Sequence, residues 1–130
     1  MNSSDDLSFR TQDASEGTAA LVGRSDATNV PDGWHLVVGT YNAGGANASF
    51  ELYLDGITAV SDTDAGEGSY TAMEDQAETV GIGHYHSSGS DANFFHGKMA
   101  FIVVYANNIG PSGVRLLTEY VNDFYETTYA

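Results

Sequence analysis

The chain has 130 residues, enough for one domain whose core needs no staple, and it holds no cysteine, which excludes a disulfide framework and thiolate metal sites. Eighteen Asp and Glu stand against four Lys and Arg, a net charge of −14, and so acidic a surface repels phosphate and excludes a nucleic-acid partner. No run approaches the roughly 18 apolar residues of a membrane span, and residues 1–6 lack the basic and apolar regions of a signal peptide.

Such a charge excess destabilises a compact state by self-repulsion unless concentrated salt shrinks the Debye length to about 3 Å or less. Abundant Asp, Thr, Ala and Gly beside a single lysine, Lys98, therefore fits a halophilic system. An ordinary acidic secreted or virion protein is the alternative. If the protein acts outside a cell, the expected routes are a virion, lysis or a longer precursor.

Residues 1–6 read as a flexible N-terminus. Residues 7–10 and 18–22 are short apolar stretches and read as two modest strands, followed by a loop over 23–33. Residues 34–41 form the strongest strand. Trp34, Leu36, Val38 and Thr40 fall on one face and His35, Val37, Gly39 and Tyr41 on the other. Both faces are largely apolar, which predicts a central strand covered on both sides, with His35 structural. A glycine-rich connection over 42–48 leads to a second strand, 49–54. There Phe50, Leu52 and Leu54 are expected to point towards the core, with Glu51 and Tyr53 pointing the other way. Asp55-Gly56 supplies the positive φ angles of a tight hairpin turn, and 57–60 returns as a short strand.

The stretch 61–78 is a long acidic loop, a kind that is usually functional or mobile. Residues 79–83 read as a short strand, 84–93 as a polar loop, and 94–105 as a long apolar strand. The period then changes. Val114, Leu117, Val121 and Phe124 recur at helical spacing, with Pro111 suited to the first helical position, so 111–125 is predicted to be an amphipathic helix lying on the strands. Residues 126–130 read as a tail. The expected class is all-β, an antiparallel sandwich over 7–125 with a C-terminal helix.

A Trp-His strand, a hairpin ending LYLDG, then VGIG, then FHGKMAFIVVYANNI and a closing helix VRLLTEYVNDFY follow in that order. This order resembles the concanavalin A-like lectin/glucanase superfamily, most of all its laminin-G-type branch, from about Trp34 to Tyr125. The resemblance implies a jelly-roll of two packed antiparallel sheets. It also implies a module that binds glycans, proteins or calcium or serves in adhesins and viral particles, with some relatives acting as glycoside hydrolases. The family usually has more strands ahead of the Trp strand than 33 residues supply, so the sandwich is expected to be compact, a fragment, or completed by a neighbouring chain, its open edges inviting pairing.

The hydrolase branch carries its carboxylates along one strand in an ExDxxE-like arrangement, which is missing here. Hydrolysis needs two carboxyl groups about 5–10 Å apart across the scissile bond. Glu51 and Asp55 share a strand, but they read as a solvent-facing glutamate and a turn former, so no catalytic residue is assigned. No GxSxG elbow is present to hold a nucleophilic serine. Asp62, Asp64, Glu67 and Asp75 in the acidic loop, with Glu74 beside them, supply the hard oxygens that calcium takes, although the spacing is not that of an EF-hand. A solvated acidic loop is the plainer reading. His84, His86 and His96 lie near strand ends and could approach a zinc site. Without a thiolate or HExxH they read as loop histidines. Tyr41, Tyr70 and Tyr85 are candidate stacking platforms for a sugar, with Asn93 as a polar contact at the end of loop 84–93.

Three functional expectations follow. The first is a non-enzymatic structural or attachment module of an extracellular assembly, such as a capsid decoration, tail or fibre. Its partners would be neighbouring structural protein subunits, as an oligomer. The second is a lectin domain recognising surface glycans through loops 42–48, 61–78 and 84–93, with calcium as a candidate cofactor. The third is a glycoside hydrolase.

Overall fold

The computed structural model describes residues 7–13, 20–25, 30–43, 49–60, 63–64, 82–83, 85–87, 90–92 and 94–130. The chain divides into two compact units, residues 1–74 with 105–130, and residues 75–104. In the larger unit the strands are β1 (Ser8–Asp13), β2 (Ala20–Ser25), β3 (Val37–Tyr41), β4 (Phe50–Leu54) and β5 (Thr63–Asp64). All pairings are antiparallel. One sheet runs β1-β2-β5, and β3 pairs with β4 in another.

The two N-terminal strands lie further along the chain than their apolar stretches suggest. β1 continues through Thr11, Gln12 and Asp13, and β2 reaches Ser25, because six consecutive residue pairs close the ladder from Ser8–Ser25 to Asp13–Ala20. Backbone pairing extends where side-chain alternation gives no signal. β5 lies inside the stretch expected to be an acidic loop, and it adds two residues to the free side of β2.

The β3–β4 register places Val38 opposite Tyr53 and Thr40 opposite Glu51 on one face, with Gly39 opposite Leu52 and Tyr41 opposite Phe50 on the other. β3 is buried on the face of Val38 and Thr40, whereas Val37 and Gly39 on its other face are exposed, against the cover on both sides that the pattern of 34–41 predicts. Phe50 and Leu52 of β4 are the residues buried on that second face. On the second face the Phe9 ring of β1 meets Phe50 edge-on with centroids 5.4 Å apart, while Tyr41 stacks on Phe50 at 4.4 Å. Gly39 is required there, since a Cβ at that position would stand 2.9 Å from the Phe9 ring.

On the first face lies α1 (Gly110–Tyr125). It buries Val114, Thr118 and Val121, and the two valines join Leu36, Val38 and Tyr53 in one cluster, flanked by Ile109, Leu117 and Tyr129. The Thr118 hydroxyl donates to the Val114 carbonyl at 2.9 Å, which satisfies it inside the helix. Phe124, expected at the packing spacing with Val114, Leu117 and Val121, is instead exposed, as are Leu116 and Tyr120, and its ring stacks on Tyr120 at 5.8 Å.

Three expectations are corrected here. Trp34 is exposed rather than part of the core face, because the ladder begins beyond it. The return strand over 57–60 shrinks to one bridge between Tyr53 and Ala59, with the Val60 amide donating to the Leu52 carbonyl at 2.8 Å. At the turn only Asp55 takes a positive φ, of 53°, and Gly56 does not.

The smaller unit holds a short hairpin of β6 (Tyr85–Ser87) and β7 (Ser90–Ala92), within the stretch expected to be a polar loop. Three-residue strands carry too few alternations to register as a period. The long strand expected over 94–105 is not formed. Its residues are irregular, and among the described residues they join no ladder, although the Phe95 amide donates to the Gly83 carbonyl at 2.7 Å. β-propensity alone does not make a strand when no neighbour offers an edge. The strand expected over 79–83 falls mostly outside the described residues, and residues 82–83 form a bend.

Phe50 is wholly buried between β1 and the hairpin. Phe50→Ala is expected to cost about 3–5 kcal/mol, whereas Leu116→Ala on the exposed helix face should stay within about 0.5 kcal/mol. Urea unfolding in concentrated salt measures both, and equal costs would contradict the layer order.

Candidate functional site

Asp55 follows β4 where an Asp tolerates the left-handed backbone, and from there its side chain reaches back to the start of β3. Oδ1 accepts the Leu36 amide at 2.8 Å, and Oδ2 lies 2.5 Å from His35 Nδ1. The other ring nitrogen, Nε2, lies 2.7 Å from the Pro31 carbonyl. The hydrogen bond to Asp55 is the main reason the His35 pKa rises above 6.5. Burial opposes it, and the Pro31 carbonyl and the Asp55 charge add to it.

Residues 126–130 do not project as a tail. Glu126 closes α1 in a left-handed conformation and turns the chain back. Asn122 then holds the returning backbone: its Oδ1 accepts from the Tyr129 amide and the Thr127 hydroxyl at 2.8 and 2.9 Å, and its Nδ2 donates to the Tyr129 carbonyl at 2.8 Å. The Tyr129 hydroxyl donates to the Trp34 carbonyl at 2.9 Å. The Ala130 amide donates to the Asp55 carbonyl at 3.0 Å, and the Ile57 amide to the Ala130 carbonyl at 2.8 Å. A Cβ on Gly56 would collide with that Ala130 carbonyl, so the glycine of the Asp-Gly pair serves the close approach of the tail.

At the other end of the same sheet face, beside the start of the helix, is a groove of about 420 Å³. It is lined chiefly by Thr40, Asn42, Glu51, Tyr53, Asn108 and Pro111. Asn108 Oδ1 accepts the Gly110 amide at 2.7 Å and so shapes the start of α1 beside the groove. Tyr53 shares a hydrogen bond with Thr40. Burial first, then the Glu51 charge, raises its pKa above 10.0. One carboxylate, a phenol and carboxamides around an open groove can hydrogen-bond a hydroxylated ligand. Alternation along residues 49–54 marks Glu51 and Tyr53 as one face, but only the packed helix turns that face into a groove.

Of the residues expected to bind a glycan, Tyr41 is half-buried with its ring stacked on Phe50. Tyr85 lies in β6, and Tyr70 and Asn93 lie outside the described residues. Of the expected calcium ligands, Asp64 lies in β5, paired with Arg24 of β2 in the ladder, while Asp62, Glu67 and Asp75 lie outside the described residues, as does Glu74. His86 lies in β6, His96 is exposed and His84 lies outside the described residues. Among the described residues no three His, Asp or Glu side chains gather as a metal site would require.

The smaller unit presents a different surface. Phe94, Phe95, Met99, Ile102, Val103 and Val104 are all exposed, Val104 to 87%. Residues 94–104 contain no acidic side chain and include the chain's one lysine, Lys98.

Residues 1–115 match the laminin-G-type family model of the concanavalin A-like lectin/glucanases superfamily, and the chain belongs to that superfamily. The match takes in β1 and β2 as well as the β3–β4 hairpin, and it ends within α1. The superfamily implies a β-sandwich, and the antiparallel strands with a C-terminal helix agree with it. No curated protein and no solved structure matches the chain significantly.

Tyr53→Phe removes the phenol at the floor of the groove and its bond with Thr40. The expected cost is about 1 kcal/mol, read by urea unfolding. A neutral result would mean that water replaces the phenol without loss.

Proposed function

We propose that this concanavalin A-like domain is a non-enzymatic attachment module, a jelly-roll element that binds copies of itself within an extracellular assembly such as a virion of a halophilic system. The observation that carries the reading is the exposed apolar run 94–104. Large contiguous apolar patches are rare on soluble monomers and mark interaction surfaces. The run is rich in strand-forming residues, which suits it to pairing with a neighbouring chain. It is also the part of a chain of net charge −14 that can meet an acidic neighbour without repulsion, since it carries Lys98 and no carboxylate.

Catalysis is not part of this reading. Asp55 is committed to His35 and the Leu36 amide, which leaves Glu51 as the acidic side chain lining the groove. Glycoside hydrolysis takes a pair of carboxyl groups.

A second reading, glycan recognition, is favoured by the groove itself, where Glu51, Tyr53, Asn42 and Asn108 could meet sugar hydroxyls. Calorimetry against surface glycans, with calcium and with a chelator, distinguishes a calcium-dependent lectin from a simple groove. Silence across the glycans would remove this reading.

Sedimentation from about 0.1 M to about 1 M salt, where the Debye length falls from about 10 Å to about 3 Å, tests the attachment reading. Association should strengthen as salt screens the net charge. Ile102→Asp with Val104→Asp should weaken it at least tenfold, or about 1.4 kcal/mol. A monomer at every salt concentration, or association indifferent to both substitutions, would sink the proposal.

A further inference from the structure

The strand pair is fastened to the end of the chain on both sides of the His35–Asp55 contact. Trp34, the residue before His35, accepts the Tyr129 hydroxyl, and the backbone of Asp55 accepts the Ala130 amide. We propose that residues 126–130 are a pH-released strap, held closed while His35 carries two ring protons and let go when it loses one.

The geometry rests on donors and acceptors. Both ring nitrogens face oxygens, the Asp55 carboxylate and the Pro31 carbonyl. A carbonyl only accepts, and so does an ionised carboxylate. A neutral imidazole has one N–H, so it could serve one of these oxygens and would turn a lone pair on the other. The arrangement therefore requires one proton more than neutral His35 with ionised Asp55 would hold, wherever that proton sits between Nδ1 and Oδ2.

Asp55 is the charged group facing His35. The titratable group that the strap itself brings near is Tyr129, whose pKa burial and the Asp55 charge raise above 10.0, so it stays neutral throughout the range in which His35 titrates. The raised pKa of His35 sets the sign. The stabilisation is complete below 6.5 and is lost as pH rises through the higher folded value. Loss of the proton removes the charge from the His35–Asp55 bond and leaves one N–H for two oxygens, so Asp55 keeps the Leu36 amide but is held less firmly by His35. The left-handed turn at Asp55 is then weakened, and with it the two backbone bonds to Ala130. Release would bare the side of the core cluster that Tyr129 covers.

Two measurements on the intact chain test this together. Nitrogen NMR of His35 should show both ring nitrogens protonated at low pH and a midpoint above 6.5. Amide exchange, corrected for the intrinsic rate, should show Ile57 and Ala130 losing protection by up to about tenfold per pH unit between 6.5 and that midpoint and levelling off above it, while Leu52 inside β4 holds its own. In His35→Gln the protection of Ile57 and Ala130 should no longer vary with pH. Gly56→Ala should detach the strap by collision with Ala130 and, by reciprocity, lower the His35 midpoint towards 6.5. A His35 midpoint at or below 6.5, or strap amides whose protection follows Leu52 at every pH, would overturn the proposal. Both of those outcomes are read on the unaltered chain, whatever the variants do.

Discussion

A two-stranded antiparallel ribbon has two faces, and in this protein neither can be left to water. Val38 and Tyr53 make one face apolar, and Phe50 and Leu52 make the other. The β3–β4 hairpin therefore needs a cover on each side. It takes Phe9 and the β1–β2 sheet on one and α1 on the other. A fully buried side chain of this size contributes on the order of 1.5–3 kcal/mol relative to exposure, so Phe50, Leu52 and Val114 make the hairpin the centre on which both layers depend. Gly39 belongs to the same constraint, because it lets the Phe9 ring lie against the strand.

The ends of the hairpin follow from what the helix covers. α1 begins with Gly110 and Pro111 beside Glu51 and Thr40, leaving a groove at one end. At the other end it stops at Glu126, and the chain turns back across Asp55 and Gly56. A left-handed Glu126 is unfavourable by roughly 1–2 kcal/mol. The bonds that Asn122 makes to Thr127 and Tyr129 offset it. No basic residue lies in the last turn of α1, so the returning backbone, with the Thr127 amide on the Asn122 carbonyl at 3.2 Å, satisfies the helix end instead.

Charge acts on a larger scale than these contacts. The chain carries eighteen acidic residues against four basic ones, and the exposed Arg115–Glu119 pair at 2.8 Å is worth only a few tenths of a kcal/mol. Cohesion comes from burial within the layers, and the acidic surface governs which neighbours can approach. The apolar, acid-free run 94–104 stands apart from that surface in both respects.

Periodicity alone determined that strands lie within 34–41 and 49–54 and that a helix over 111–125 packs through Val114, Leu117 and Val121, though not through Phe124, because side-chain spacing is a local property of the chain. The order of strands and helix carried the superfamily, which the match over 1–115 bears out. Tertiary structure decided the rest. Whether 94–105 becomes a strand depends on an edge being offered, and whether Trp34 is buried depends on where the ladder starts. The groove exists only because α1 begins where it does. The Asp55-Gly56 pair shows the difference most plainly. Its sequence reads as a turn, and it is one. Its partners, His35 twenty residues before Asp55 and Ala130 at the far end of the chain, are distant in sequence, so local pattern could not place them beside it.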